Sequence, residues 1–218
     1  MPPQSTPRER ARFRRRLLAW FRRAGRDLPW RRTRDPYRVL VSEFMLQQTQ
    51  VARVLEFYPR FLRRYPSLQD LARARPARVR EAWQGLGYYR RAANLHRLAR
   101  TLVREHAGTV PSDPAALEAL PGVGPYTAGA VAAFAFELPV AAVDTNVGRV
   151  LRRVFSCRTA KETRSTGQRL QPRSGPAAWA FNQALMELGA LVCTARAPKC
   201  GACPVSRSCA WPLKTGNH

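Results

Sequence analysis

Almost every stretch of this chain long enough to carry a pattern carries the same one: apolar residues three and four apart, with proline or glycine closing the run. That spacing lines one face of a helix, and the alternation of a half-buried strand is nowhere convincing. Arg8 to Arg23 carries Phe13, Leu17, Leu18, Trp20 and Phe21 among arginines and ends at Gly25. Pro36 suits a first helical turn, and the pattern then runs from Tyr37 to about Arg53 through Leu40, Val41, Phe44, Met45 and Val51. Further helices are expected at about 54–65, 67–73, 76–84, 90–106, 113–119, 126–136, 145–154, 163–170 and 177–191. The fold class is therefore all-α, with about ten helices and short connections.

Three connections stand out. Glu137-Leu138-Pro139 breaks the pattern, Arg173-Ser174-Gly175-Pro176 is a polar loop, and after Leu191 the composition turns to cysteine, proline and basic residues. A length of 218 residues fits one large domain or two small lobes, and 45% apolar content can bury a core, which excludes disordered and fibrous classes. No apolar run approaches the roughly 20 residues of a membrane span, and the opening MPPQSTPRERARFRRR lacks the apolar core of a secretory signal. A soluble cytoplasmic protein with no membrane partner is expected.

Charge narrows the partner. The chain holds 38 Lys and Arg against 14 Asp and Glu, a net +24, which suits a polyanion and not a small neutral metabolite. Only Lys161, Lys199 and Lys214 are lysines. Arginine binds phosphate in a bidentate fork, although genomic base composition accounts for such a bias equally well.

Four of the five cysteines, Cys193, Cys200, Cys203 and Cys209, fall within 17 residues, and the two-residue step from Cys200 to Cys203 lets neighbouring thiolates share one centre. Zinc and an iron–sulfur cluster both remain open on spacing alone. A four-cysteine site leaves no open coordination position, so its role is structural, with Arg196, Lys199 and Arg207 displayed on the loop. Cys157 stands apart, with no role assigned.

Leu120-Pro121-Gly122-Val123-Gly124-Pro125-Tyr126-Thr127 allows a tight turn between short helices, its N–H groups gathered at the start of the next helix. The bland reading is a helix–helix turn. Beside a +24 charge it reads as a helix-hairpin-helix, gripping a DNA backbone through Gly122, Val123, Gly124 and Thr127. Two acids also stand out. Glu43 lies on a largely apolar helix, where burial favours the protonated form needed in a general acid, and Asp144 precedes Thr145-Asn146-Val147 as an N-cap. A buried ion pair and a plain helix cap are the structural alternatives.

These residues together resemble the helix-hairpin-helix DNA glycosylase superfamily that includes endonuclease III, and within it the catalytic domain of the MutY adenine DNA glycosylases. The resemblance covers roughly Arg12 to Trp211. It rests on Leu28-Pro29-Trp30-Arg31, Asp35-Pro36-Tyr37, Ser42 to Val51, Gly85-Leu86-Gly87-Tyr88-Tyr89-Arg90, Leu120 to Gly129, Val143 to Val147, Asn182 to Ala190 and the four cysteines.

The resemblance implies two all-α lobes, a six-helix barrel over 25–137 and a cluster lobe from 1–24 and 138–218, with the active site in the cleft between them. It implies a [4Fe–4S] cluster on Cys193, Cys200, Cys203 and Cys209. Glu43 would protonate the departing base and Asp144 would stabilise the cationic sugar. Tyr126 stands where bifunctional relatives carry a Schiff-base lysine, which implies a monofunctional enzyme without strong strand-cleaving activity. Gln48 and Tyr88 would enter the base stack, while Arg26, Leu28, Trp30, Arg31, Leu46, Val51 and Glu187 would line the base pocket. The partner implied is double-stranded DNA with a mismatch or lesion, met by a monomer in the nucleoid.

Two departures bear on the target base. The chain ends within ten residues of Cys209, where typical MutY proteins continue into a domain that recognises 8-oxoguanine, and Thr145 replaces the glycine common after their catalytic Asp. Adenine opposite guanine or 8-oxoguanine is the expected target. The alternatives are a Mig-type enzyme removing thymine or uracil opposite guanine, and a non-catalytic iron–sulfur DNA-binding module.

Overall fold

A computed structural model describes residues 6–211; Lys214 and the outermost residues of the expected cluster lobe lie outside that range. The described residues form helices α1 (Pro7–Ala24), α2 (Pro36–Leu46), α3 (Val51–Arg64), α4 (Leu68–Arg73), α5 (Pro76–Ala82), α6 (Arg90–Glu105), α7 (Pro114–Glu118), α8 (Pro125–Ala135), α9 (Thr145–Phe155), α10 (Ala160–Leu170) and α11 (Gly175–Leu191), with short 3-10 turns at Pro29–Arg31, Cys200–Ala202 and Ser206–Ser208. No strand occurs among them. Among the described residues no helix is long and apolar enough to cross a membrane. The chain divides into two compact units, Met1–Arg26 with Glu137–His218, and Asp27–Phe136.

In the continuous unit, α2 is the central rod. Val39, Leu40, Val41, Ser42, Glu43, Phe44 and Met45 are all buried, so this helix shows little amphipathic bias, as a core helix should. It packs on α3, α6 and α8. Asp35 starts it, its carboxylate accepting from the Arg38 N–H at 3.1 Å.

The expected helix from Tyr37 to Arg53 is in fact two. α2 stops at Leu46, Gln48 takes a left-handed φ of 54°, and α3 restarts at Val51. Apolar spacing continues smoothly across the break, which hides it from periodicity. Behind the break stands Arg91, whose guanidinium bonds the last carbonyls of α2 and so replaces the lost helical partners.

The discontinuous unit packs α1, α9, α10 and α11 around Phe13, Leu17, Val147, Leu151, Phe181, Leu185 and Leu188. Phe13 meets Phe155 and Phe181 edge to face, with centroids 5.1 and 6.2 Å away. α10 begins at Ala160, earlier than the apolar pattern suggests. Its polar first turn is held by a capping box, the Thr159 hydroxyl accepting from Glu162 N at 3.1 Å.

Candidate functional site

In the continuous unit, Glu43 is only 4% exposed. Its Oε2 accepts a hydrogen bond from the Tyr126 hydroxyl at 2.8 Å, so the acid of α2 is held by the second residue of α8. A tyrosine hydroxyl thus appears among its partners. The hairpin before α8 determines where Tyr126 sits. Leu120 and Val123 are buried, and Val123 N–H closes the turn on Leu120 O at 3.1 Å. Gly122 has a φ of 77°, and a Cβ there would lie 2.6 Å from Asn94 Cβ, so glycine is required on two counts. The Val123 and Thr127 side chains point inward, at 7% and 3% exposure. Any phosphate contact they make therefore falls to the main chain, with Gly122, Gly124 and the first turn of α8 supplying the surface.

Gln48 and Tyr88 are both exposed, Tyr88 by 61%, and both sit in left-handed backbone, with φ of 54° and 48°. Such conformations are unfavourable for residues with a Cβ and persist only where the surroundings impose them. Arg91 bonds the residues beside both positions. Its Nη1 donates to the carbonyls of Phe44 (3.0 Å), Met45 (2.7 Å) and Gln47. Its Nη2 donates to Thr49 Oγ1 (2.9 Å) and to the carbonyls of Leu86 and Gly87 (both 3.1 Å). Sequence reasoning passed over Arg91 among so many arginines. The available signal was register: Arg91 falls four residues before Leu95 on the stripe that continues through Leu98 and Leu102, a core position for a charge.

The remaining expected residues of this unit divide by burial. Leu28 and Trp30 are buried, the Trp30 ring meeting Tyr58 edge to face at 5.5 Å, whereas Arg31, Leu46 and Val51 are half-buried.

In the discontinuous unit, Asp144 caps α9. Its Oδ1 accepts from Val147 N at 2.6 Å and its Oδ2 from Asn146 Nδ2 at 3.1 Å. The segment leading to it is tied down by buried Asn182, which accepts from Ala142 N (3.0 Å) and donates to Val140 O (3.0 Å) and Ala178 O (3.1 Å). Glu187 is fully buried. Both its oxygens face Arg26, bonded to the backbone N–H (2.9 Å), Nε (2.7 Å) and Nη2 (3.0 Å), so the carboxylate and guanidinium act as one fixed group.

Cys193, Cys200, Cys203 and Cys209 line one pocket of about 290 Å³, walled by Val150, Val154, Leu188, Val192 and Val205. Among the described residues no three His, Cys, Asp or Glu side chains gather closely enough for a single metal ion. Four cysteines lining one largely apolar chamber supply the donor set of a closed four-thiolate centre. Burial, with repulsion from the neighbouring cysteines, pushes the Cys203 and Cys209 thiols up, so a cationic centre is what would hold them as thiolates. From α9, Arg149 bonds the carbonyls of Gly189 and Cys193 (both 2.7 Å), and Arg153 those of Thr194 (2.7 Å) and Ala195 (2.9 Å). Cys157 is buried with its thiol on Thr166 Oγ1 at 3.5 Å, an ordinary core position.

Residues 41–173 match the model of HhH-GPD superfamily base excision DNA repair proteins. Residues 193–209 match the iron–sulfur binding domain of endonuclease III. The adenine DNA glycosylase of Mycobacterium tuberculosis is 49% identical over 202 residues, 89% of this chain and 66% of that protein, so the chain spans just under two thirds of that relative. The thymine-DNA glycosylase of Aeropyrum pernix is 39% identical over 206 residues, 90% of this chain and 92% of that protein. The structure of a thermostable thymine-DNA glycosylase superposes with a TM-score of 0.88 at 32% identity, covering 95% of this chain and 98% of that one.

Proposed function

The chain belongs to the HhH-GPD superfamily of base excision DNA repair proteins, and from that membership we propose that it is a monofunctional DNA glycosylase that removes mispaired adenine from duplex DNA. The observation that carries the proposal is the 49% identity to an adenine DNA glycosylase, joined to a buried Glu43 held by Tyr126.

In the reaction proposed, Glu43 gives its proton to adenine N7, the bond from N9 to the sugar C1′ breaks, and the base departs neutral. Asp144, an anion at the head of α9, stabilises the cationic sugar until water adds at C1′, passing its proton to the Glu43 carboxylate, and leaves an abasic site. Gln48 and Tyr88 enter the stack as the nucleotide leaves it. Leu28, Trp30, Arg31, Leu46 and Val51 are assigned to contact with the base, as are Arg26 and Glu187, and the 120–127 hairpin holds the phosphate backbone. With tyrosine at position 126, no imine forms there. The four cysteines would hold a [4Fe–4S] cluster, which would tie the 193–209 loop to itself beside Val150 and Val154 of α9 and Leu188 of α11, which line the same pocket. The enzyme works as a monomer on mismatched DNA of the nucleoid in the cytoplasm.

A second reading, removal of thymine or uracil opposite guanine, is favoured by the near-complete coverage of the Aeropyrum relative. Single-turnover base release on duplexes holding A opposite 8-oxoguanine, A opposite G, T opposite G and U opposite G decides between them, with alkali as a separate step. Adenine released from strands intact before alkali supports the proposal; release of thymine or uracil selects the second reading; silence on all four refutes both.

A further inference from the structure

We propose that Arg91 is the positioning residue that locks the Gln48 loop and the Tyr88 loop into one rigid wedge, so that the two side chains enter the duplex together. The inference rests on the glycosylase reading above and adds a residue it does not contain.

Six acceptors converge on the two terminal nitrogens of Arg91, and they come from both loops. Nη1 is spent wholly on the end of α2 and the residue before Gln48, while Nη2 bridges, taking Thr49 just past Gln48 and the two carbonyls just before Tyr88. The guanidinium is planar and rigid, so fixing one nitrogen fixes the other, and the spacing of the loops follows from the geometry of a single side chain. Its carbon also sits 5.4 Å from the Tyr88 ring centroid and 5.6 Å from that of Trp83. Trp83 Nε1 in turn donates to Gly87 O at 3.2 Å, and Arg53 grips Gly85 O through Nε and Nη2, both at 3.2 Å.

The composition of the clamp is informative. Arg91 is 7% exposed, and among the described residues it pairs with no carboxylate. A buried cation is costly when unpaired, and a carboxylate would be the ordinary partner. Here the negative end of α2 and the loop carbonyls take that place. The result is a tie made mainly through main-chain oxygens, with the Tyr88 ring resting against the guanidinium and no hydrogen bond from the guanidinium to either exposed side chain. Lysine could supply the charge but not two fixed nitrogens.

The test compares wild type with Arg91→Lys and Arg91→Met on two substrates, adenine paired in a duplex opposite G and adenine already unpaired in a single-nucleotide bulge. A separate binding assay reads the fluorescence of 2-aminopurine at the target position. The expected result is a loss of about ten-fold or more in single-turnover release from the paired duplex and loss of the 2-aminopurine rise, with release from the bulge within about three-fold of wild type. Equal losses on both substrates, or no loss on either, overturn the proposal. Should the Met variant fail to fold, Thr49→Val removes one bridging acceptor on one loop only and must show the same preference for the bulge, more weakly. If wild type releases no adenine from either substrate, the glycosylase reading fails. The fluorescence rise, which needs no chemistry, then decides the role of Arg91 alone.

Discussion

Asp144→Asn separates a helix cap from a catalytic anion. As a cap, Asp144 accepts from Val147 N at 2.6 Å, and asparagine fills that position as well as aspartate does. What is lost is the negative charge at the head of α9, worth about 0.3–1 kcal/mol, and part of the contact with Asn146 Nδ2 at 3.1 Å. The stability loss is thus about 1 kcal/mol, against a total of roughly 5–15 kcal/mol for a folded domain, so practically every molecule stays folded. As a stabiliser of a cationic sugar the same carboxylate carries about 10²–10³-fold in rate. The two roles therefore predict different quantities from one substitution. Urea unfolding gives the stability, and single-turnover adenine release gives the rate. Asp35→Asn is the control, since Asp35 caps α2 through Arg38 N at 3.1 Å and has no assigned part in the chemistry. The reasoning predicts similar stability losses and a rate loss confined to Asp144→Asn. A rate loss below about three-fold at position 144, or an equal one at position 35, refutes it.

Other expectations are shorter. Glu43→Gln keeps an oxygen that can accept from Tyr126 and should leave the unfolding midpoint nearly unchanged, while base release falls by at least about 100-fold because the amide has no proton to give. Gly122→Ala forces an L-residue to a φ of 77° and sets a methyl 2.6 Å from Asn94 Cβ; about 2 kcal/mol or more of stability should go, with weakened duplex binding in a gel-shift titration. Cys200→Ser should lower bound iron and sulfide measured chemically and lower the thermal midpoint, whereas Cys157→Ser should keep the iron, because Cys157 faces Thr166 and not the pocket.

Legibility followed the kind of physics involved. Helix type and the apolar faces were readable because burial is periodic in sequence: Phe13, Leu17 and Phe181 are core residues as their spacing requires. Helix ends were readable where the residue type announces them, as Pro36, Asp144 and Gly25 do. The break at Leu46 was not, because its cause lies 45 residues away in Arg91 and leaves no local mark on the apolar spacing. The same limit applies to chemistry. Glu43 on an apolar helix is conspicuous, but that its partner is a tyrosine hydroxyl depends on how α2 meets α8. Glu187 was reached only through the family resemblance, and the fixed pair it forms with Arg26, across 161 positions, was not legible at all.

The arginine excess gains a second meaning from these contacts. Most of the basic residues are exposed and suit a phosphate backbone, where lysine would serve nearly as well. Arg91, Arg149 and Arg153 do something lysine cannot. Each stands on a helix and distributes its guanidinium over main-chain carbonyls of a loop and, for Arg91 and Arg149, of the helix end that leads into it: 44, 45, 47, 86 and 87 for Arg91, 189 and 193 for Arg149, 194 and 195 for Arg153. In both units the loops so held are the ones given work in the proposed function, the Gln48 and Tyr88 wedges in one and the cysteine loop in the other. Loops are ordinarily the mobile parts of a fold, and precise work on a duplex needs them rigid. Net charge therefore counts two populations. Replacing exposed arginines by lysine should change mainly the salt dependence of DNA binding, whereas the same replacement at 91, 149 or 153 removes a fixed fork from the main chain of a working loop.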